Sequence, residues 1–430
     1  MKEQRLGVQT VFWQKALENE VASVAAKPSS VGVTAAGLPK WPMTSARHWS
    51  GLKSRMLGRL WTSAIIKALL QNQHKIPAGL LTRGSVTLTS SQHALNVLRL
   101  KLGMTKTIRW GILGTGNIAK SFAQGLKDLP GIELEAVGSR TEKTARDFGE
   151  RFGIPKHYAS YEALVDDPNI DIIYISTPHP MHVDNVILCL SAGKHVLCEK
   201  PFAINAQEAR RAMELAKRQQ LFLMEGMWTR FLPHIVRIRE LLEEGVIGNP
   251  RALQASFGFR TNYDPKHRLF DPSLGGGALL DVGVYSIALA HMFFGPPSDV
   301  SGFANLAPTG VDEEAALVLR HAGGELSTLL TAIRLNTPHR ATLIGVDGWI
   351  DLHPNWWSPS NFTVNRNGEK PEFFEIETPL HGFSYEALAV SEHLRVGELE
   401  SPIMPLRDTL AIAETMDQAR QLWGITYPME

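Results

Sequence analysis

From residue 108 onward the hydrophobic and polar positions change period in a regular way. Ile108–Leu113 ("IRWGIL") is a short, nearly unbroken apolar run, and from Ile118 the apolar positions recur at helical spacing. The first pattern predicts a buried strand and the second a helix. The pair then repeats. "IELEAVGSR" reads as a strand. "IDIIYISTPHPMH" reads as a strand closed by Thr177-Pro178 and followed by the helix "VDNVILCLSAG". After "KHVLCEKP" come the helix "NAQEARRAMELAKRQ" and the strand "LFLMEG". Strands alternating with helices of these lengths predict an α/β domain with a doubly wound parallel sheet over residues 104–226. Past "MEGMWTRFLPH" the alternation stops. The helix "IVRIRELLEEGVIG" leads into "RALQASFGFR", "EAALVLRHA", "GELSTLLTAIR" and "RATLIGVDGWIDL", separated by turn-rich breaks. That pattern predicts a second, α+β domain over residues 227–430, with a large open, mainly antiparallel sheet. The helix "LRDTLAIAETMDQARQLWG" is expected to return to the domain boundary.

Composition alters this picture only at the N-terminal side. The 430 residues are 44% hydrophobic and 20% charged, ordinary values for a globular chain. The net charge of +1 hides an asymmetry. Residues 1–107 hold 15 Lys/Arg and 3 Glu, which leaves 29 basic and 40 acidic residues for the remainder. A mildly acidic body carries no footprint for nucleic acid. Residues 1–103 are basic, acid-poor and rich in Ser, Thr and Ala. Within them Leu52–Leu70 sets Leu52, Met56, Leu60 and Trp61 at helical spacing among Lys53, Arg55, Arg59 and Lys67. Three readings fit: an upstream extension without structural purpose (Met104 before "TKTIRWGILGTGN" reads as a natural start), an organelle transit segment, or a surface helix. Cys189 and Cys198 make neither a disulfide framework nor a zinc spacing. A reducing, cytoplasmic setting is therefore expected, or an organelle if the extension is a transit segment. No uninterrupted apolar run reaches the roughly 18 residues of a spanning helix, so no membrane partner is expected.

The chemistry concentrates at the strand ends. Between the first strand and helix lies Gly114-Thr115-Gly116-Asn117-Ile118-Ala119, a G-x-G-x-x-A turn. Gly114 permits the tight turn, Gly116 lets the backbone approach a pyrophosphate, and Ala119 lets helix and strand come close, as in a Rossmann dinucleotide site. The phosphate would meet the free N–H groups at the helix start. NAD enzymes place an acidic residue about 20 positions on, for the ribose 2′-hydroxyl. Here the second strand ends in Ser139-Arg140. A hydroxyl and a guanidinium suit a 2′-phosphate, so NADP is expected over NAD.

The strand "HVLCE" stops at Glu199-Lys200-Pro201. An isolated Glu-Lys pair is ordinarily solvated surface, but ligands of doubly wound sheets bind beyond the carboxyl ends of the strands. His179 and His182 form H-x-x-H with no carboxylate or third histidine at ligand spacing, so no metal is expected. In the second half, "LGGGALLDVGVYSIALAHMF" places Asp281 and Tyr285 at i and i+4 among apolar and small neighbours, a pairing suited to a site.

Together the G-x-G-x-x-A turn, Glu199-Lys200-Pro201 and G-G-G-x-L-x-D-x-G-x-Y resemble the glucose–fructose oxidoreductase/inositol dehydrogenase (Gfo/Idh/MocA) family. "MEGMWTRFLP" is similar to its dimeric dihydrodiol dehydrogenase and NADP-dependent D-xylose dehydrogenase branch. The resemblance spans about residues 106–425, and the N-terminal segment departs from it. It implies Lys200 and Tyr285 as the catalytic pair, with Asp281 orienting them and binding substrate hydroxyls, and a cis Lys200-Pro201 peptide. It implies cofactor contacts from Gly114, Thr115, Gly116, Asn117, Ile118, Ser139, Arg140, Thr177, His182, Glu199 and Lys200, with Trp228 and Arg230 near the nicotinamide. Chemically, Lys200 is expected to lower the pKa of Tyr285 from its ordinary value of about 10 so that it can take a hydroxyl proton. The implied reaction is hydride transfer between an aldose or related polyol, such as D-xylose going to its lactone, and NADP. The same residues would also serve a trans-dihydrodiol or the reduction of an anhydrofructose-type keto-sugar. A non-catalytic NADP-binding regulator would be favoured by loss of the lysine or the acid/base residue, and both are present. Arg260, Asn262, Tyr263 and His267 could serve many polyols. A homodimer through the open sheet is expected.

Overall fold

The computed structural model describes residues 106–430. The readings made on residues 1–103 and on Met104 lie outside the described residues. The first sheet is built from β1 (Ile108–Leu113), β2 (Ile132–Gly138), β3 (Lys156–Tyr158), β4 (Ile172–Ile175), β5 (His195–Glu199) and β6 (Leu223–Gly226). All pairings are parallel, in the order β3-β2-β1-β4-β5-β6. The continuous apolar runs are explained by burial on both faces: every residue of β4 is fully buried. Helices α1 (Asn117–Leu126), α2 (Glu142–Phe152), α3 (Tyr161–Val165), α4 (His182–Ser191) and α5 (Ala206–Gln219) connect the strands. The Thr141 and Asn205 side chains accept the Thr144 and Glu208 N–H groups, which fixes where α2 and α5 begin. Strand order reverses between β2 and β4 on either side of β1. The crevice of such a sheet opens at this point.

The chain leaves through α6 (Pro233–Glu243) into a second sheet. Its strands are β7 (Pro250–Gly258), β8 (Pro297–Leu306), β9 (Asp312–His321), β10 (Leu326–Ala332), β11 (Ala341–Gly345), β12 (Gly348–Leu352), β13 (Phe362–Arg366) and β14 (Glu372–Phe374). The order is β14-β13-β12-β11-β7-β10-β9-β8, antiparallel except for the parallel β7–β10 pair. Strict alternation divides its faces. Leu317, Leu319 and Leu329 point into the core, while Val318 and Leu330 are 44% and 40% exposed on the other side.

Against the inner face lies α7 (Val284–Phe294), preceded by a π turn over Leu279–Gly283. The stretch Pro272–Phe294 is long and apolar enough to cross a membrane by length and composition, but 83% of its most apolar window is buried within the protein. Its hydrophobicity is that of a core helix.

Two helices return to the first domain. As expected, α9 (Leu406–Trp423) reaches the boundary, where Asp417 accepts the Ala206 N–H at the start of α5. The other, α8 (Gly382–Val396), was not anticipated. It is tied to α1 by Ser384 Oγ donating to Gly125 O at 2.6 Å, and to β1 by Trp110 Nε1 donating to Ser391 Oγ at 3.2 Å. One apolar core runs through both sheets, from Trp110, Phe122 and Tyr174 to Phe257, Leu317 and Trp356.

Candidate active site

The glycine turn sits at the crevice. Gly114 has φ +102°, a conformation that favours glycine, and a Cβ there would stand 3.0 Å from Ser176 Oγ. Gly116 caps α1 with no side-chain hydrogen bond, and the first turn of that helix holds no acidic residue. Its N–H groups are thus left for an anion, and the cradle fits a pyrophosphate. Nearby, Ser139 Oγ shares hydrogen bonds with Thr144 Oγ1 at 2.6 Å and Thr115 Oγ1 at 3.3 Å. Arg140 is exposed at the end of β2, close enough to act on Tyr161. Thr177 is buried, and its hydroxyl accepts from Asn185 Nδ2.

Beyond β5 the chain turns through a cis Lys200-Pro201 peptide. Lys200 Nζ donates to the Asp281 carbonyl oxygen at 2.7 Å, stands 4.0 Å from Asp281 Oδ1, and lies 4.8 Å from the centroid of the Tyr285 ring. Residues far apart in the chain are thereby brought together. The local geometry differs from the regular i,i+4 helix expected for Asp281 and Tyr285, because residues 279–283 form a π turn. Such turns gather at functional sites because they re-aim backbone and side-chain groups. Here the turn leaves the Asp281 carbonyl facing Lys200, while its carboxylate accepts from Arg268 Nη1 at 2.8 Å. Trp228 Nε1 donates to the Tyr285 hydroxyl at 3.1 Å, and its ring stacks on Phe383 at 4.7 Å.

Electrostatics differ from expectation at Tyr285. Burial and the Glu199 charge push the phenol well above its ordinary value, and the Trp228 hydrogen bond only partly offsets them. The ammonium lies over the ring face, and with the phenol raised above its ordinary value of about 10 the hydroxyl is protonated at neutral pH. Asp281 behaves oppositely: burial alone would raise its carboxyl, but Lys200 and Arg268 outweigh that and hold it below the usual range. Burial takes His179 down to about 3, so its neutral ring donates through Nδ1 to Gly275 O at 3.1 Å and ties the crevice to the glycine loop.

The side chains of two expected cofactor contacts are engaged within the protein. Arg230 is 3% exposed and turned away from the crevice: it donates to Asp408 Oδ2 at 2.6 Å, Ile403 O and Ala288 O, binding α7 to α9. A buried guanidinium needs a carboxylate, and Asp408 supplies it. The His182 ring is fully buried between the Thr177 and Pro201 carbonyls, each 2.8 Å from a ring nitrogen. Burial lowers its pKa more than the two carbonyls raise it. It braces the loop that carries Lys200 and presents no nitrogen to a ligand. Glu199 is also enclosed, accepting from the Tyr174 hydroxyl and from the Lys200 N–H.

Other members were not visible in the sequence reading. Arg268 lies on the exposed loop after β7 that also carries Arg260, Asn262, Tyr263 and His267. Asp312 at the start of β9 is fully buried and accepts the Leu279 N–H at 2.6 Å, anchoring the π turn, while the C-terminal Tyr427 hydroxyl donates to Gly276 O. Glu386 on α8 did carry a signal: with Phe383, Ala387 and Val390 it falls on the helix's apolar stripe, where a carboxylate is out of place.

Burial raises Asp312 to about 7. An acid raised on folding contributes stability that is present below its unfolded value near 3.9 and is lost as pH rises through 7. Thermal unfolding should therefore show the wild-type midpoint falling between pH 5 and pH 8, with a smaller fall in Asp312→Asn. Equal falls would show that Asp312 does not titrate in this window.

Comparison with known proteins shows the same two-domain family. Residues 108–227 match the oxidoreductase family, NAD-binding Rossmann fold, and residues 235–351 match the GFO/IDH/MocA C-terminal domain. The chain belongs to the GFO/IDH/MocA family. Among curated relatives, the trans-1,2-dihydrobenzene-1,2-diol dehydrogenases of Mus musculus and Homo sapiens are 39% and 37% identical, each over 75% of this chain and 99% of their own. This places it in the dihydrodiol dehydrogenase branch. Among solved structures, aldose-aldose oxidoreductase from Caulobacter crescentus, complexed with glycerol, superposes with a TM-score of 0.68 at 26% identity, covering 74% of this chain and 97% of that one. KijD10, a 3-ketoreductase from Actinomadura kijaniata in complex with NADP and TDP-benzene, gives 0.65 at 27% identity, covering 74% and 98%. As a GFO/IDH/MocA member the protein is a nicotinamide-dependent oxidoreductase.

Proposed function

We propose that this oxidoreductase uses NADP to transfer a hydride to or from a carbinol carbon of a sugar or a trans-dihydrodiol, with Lys200, Tyr285 and Asp281 forming the reacting site. The observation that carries the reading is the convergence of the Lys200 ammonium, the Tyr285 ring and Asp281 at the carboxyl end of the parallel sheet. The cofactor supplies or accepts the hydride when bound. The chain handles the proton. Tyr285 exchanges it with the substrate oxygen, and the phenolate left behind is stabilised by Lys200 and by the Trp228 N–H. Asp281, held ionised between Lys200 and Arg268, accepts hydrogen bonds from neighbouring substrate hydroxyls. Because the hydroxyl is a neutral phenol, carbonyl reduction is a second reading with support of its own: a donor is already protonated at neutral pH. The 3-ketoreductase relative points the same way.

The preference for NADP rests on Ser139 and Arg140 at the end of β2, where an acidic residue would favour NAD. Arg140→Ala should weaken NADP binding roughly tenfold to a hundredfold, the loss of a charge-assisted phosphate contact, with little change for NAD. Fluorescence titration of NADPH and NADH reads the difference, and equal loss for both would remove Arg140 from the 2′-phosphate.

The occupant proposed for the outer face of the eight-stranded sheet is a second copy of the chain. That face exposes Val318, Leu330 and Leu326, together with Phe303 at 86% and Trp349 at 40%, which is more apolar surface than a lone sheet usually leaves to water. The proposed setting is a reducing compartment, consistent with two buried free cysteines. The test of function is NADPH absorbance with the full chain, using D-xylose, D-glucose and trans-1,2-dihydrobenzene-1,2-diol, each with NADP and with NAD. Light scattering on the same preparation reads the oligomer. Turnover with NADP and any of the three supports the reading. Silence on all three, with a keto-sugar reduced instead, selects the second.

A further inference from the structure

The loop Gly275–Gly277 sets where the π turn begins, yet three glycines offer no side chains by which neighbours could hold it. Its place is fixed through its carbonyls and by close packing. The Gly277 carbonyl accepts the Asp281 N–H at 3.3 Å, so a shift of the loop passes directly to Asp281. Gly277 itself has φ +115°, and a Cβ there would stand 2.3 Å from Asp312 Oδ1. The Gly275 carbonyl is engaged by His179, and the Gly276 carbonyl accepts from the Tyr427 hydroxyl at 2.6 Å. Lys200 comes from the first domain, on the stretch that leads through Ile204 into α5. The two stretches pack directly, since a Cβ on Gly275 would come within 2.9 Å of Ile204 Cδ1.

Tyr427 belongs to neither stretch. It follows α9, is 4% exposed, and carries the Arg420 guanidinium 5.2 Å from its ring centroid. Arg420 in turn donates from Nη1 to Glu430 Oε2 at 2.7 Å, and from Nη2 to Asp417 Oδ1 and Glu430 Oε1, each at 2.8 Å. A planar fork shared between two carboxylates fixes direction as well as distance. The same carboxylates reach the start of α5: Asp417 Oδ2 accepts the Ala206 N–H at 2.9 Å, and Glu430 Oε1 accepts from Asn205 Nδ2 at 3.0 Å. Glu430 Oε2 also accepts the Tyr427 N–H at 2.9 Å. A run of hydrogen bonds through α9 therefore joins the end of the Lys200 stretch to the glycine loop before Asp281.

We propose that Tyr427 and Arg420 are positioning residues for the reaction, tying the glycine loop to the start of α5 and thereby holding Lys200 on the Asp281 carbonyl and over Tyr285. The inference rests on the reading of Lys200 and Tyr285 as the reacting pair. Lys200 Nζ is 2.7 Å from that carbonyl and 4.8 Å from the ring centroid. Misplacing such a group by about an ångström, even from a distance, costs up to roughly 10²-fold in rate.

The test is a double-mutant cycle on the full chain, following NADPH absorbance with the best of the substrates named above, the keto-sugar included. Tyr427→Phe keeps the ring beside Arg420 and removes only the donor to Gly276. It should lower kcat about tenfold and leave the NADPH dissociation constant, read by fluorescence, within about twofold of wild type. In a Lys200→Ala background the same substitution should lower kcat by less than about twofold, because the contact it positions is already gone. A merely structural loosening would multiply the two losses instead. Should Tyr427→Phe fail to fold, Glu430→Gln weakens the Arg420 fork and keeps the hydroxyl, and it should lower kcat about fivefold with the same dependence on Lys200. An unchanged kcat in the folded variant, or the full loss repeated in the Lys200→Ala background, overturns the proposal alone. Wild-type kcat in Lys200→Ala overturns the proposed function, and this inference with it.

Discussion

Lys200→Ala is expected to lower kcat by about 10²- to 10³-fold while leaving NADPH binding detectable. The size follows from what the ammonium does. It is the only cation placed over the Tyr285 ring among the described contacts, and it meets the Asp281 carbonyl and carboxylate at the same time. In the proposed mechanism Tyr285 gives up its proton inside a site that already holds Glu199 and Asp281, where a phenolate needs a positive neighbour more than it would in water. Removing a preorganised charge at such a point has an effect of roughly this magnitude. Stability should suffer less, because Asp281 keeps Arg268 as a partner. Steady-state turnover and a fluorescence titration on the same variant separate the effects. Wild-type kcat in Lys200→Ala would remove the residue from the chemistry altogether.

Tyr285→Phe should lower turnover by about 10²- to 10⁴-fold, the range for losing a positioned proton donor. The substitution keeps the ring, its packing near Phe257 and the ammonium above its face. It removes one hydrogen bond, from Trp228 Nε1, whose loss is worth about 1 kcal/mol, so the unfolding temperature should change only slightly. Direction adds a second reading of the same enzyme. Burial and Glu199 raise the phenol's pKa, so wild-type carbonyl reduction should persist through neutral pH and decline only in alkali, as the donor ionises. Alcohol oxidation needs the deprotonated form and should gain as pH rises. A reduction rate already falling between pH 6 and pH 8 would assign the proton to another group.

Much of this was legible from local pattern. Five of the six parallel strands follow from apolar runs alternating with helical spacing, since strands buried on both faces are largely apolar, whereas β3, three half-buried residues reading KHY, carried no such run. The G-x-G-x-x-A turn was equally plain, because only glycine tolerates φ +102° at Gly114. Lys200 and Glu199 announced themselves as charges ending a buried strand. Arg230, named from the resemblance and not from any local pattern, has its side chain engaged elsewhere. Its neighbour Trp228 does face Tyr285, but the short 3-10 turn over Trp228–Phe231 sends the guanidinium toward Asp408 and away from the crevice.

What the sequence determined by itself was the period of each segment, the special backbone of the glycine turn and the residue types available at the strand ends. These depend on interactions within a few residues, so they can be read along the chain. The tertiary structure decided which of those groups meet. The π turn that aims the Asp281 carbonyl at Lys200, the loop that brings Arg268 to the Asp281 carboxylate, and the return of α8, which bonds Gly125 through Ser384 and Trp110 through Ser391, all join distant parts of the chain. Each requires both domains to be folded around one core. The acidity of Tyr285 was decided there too, because a pKa reports burial and neighbouring charge, and neither exists until the chain has closed around it.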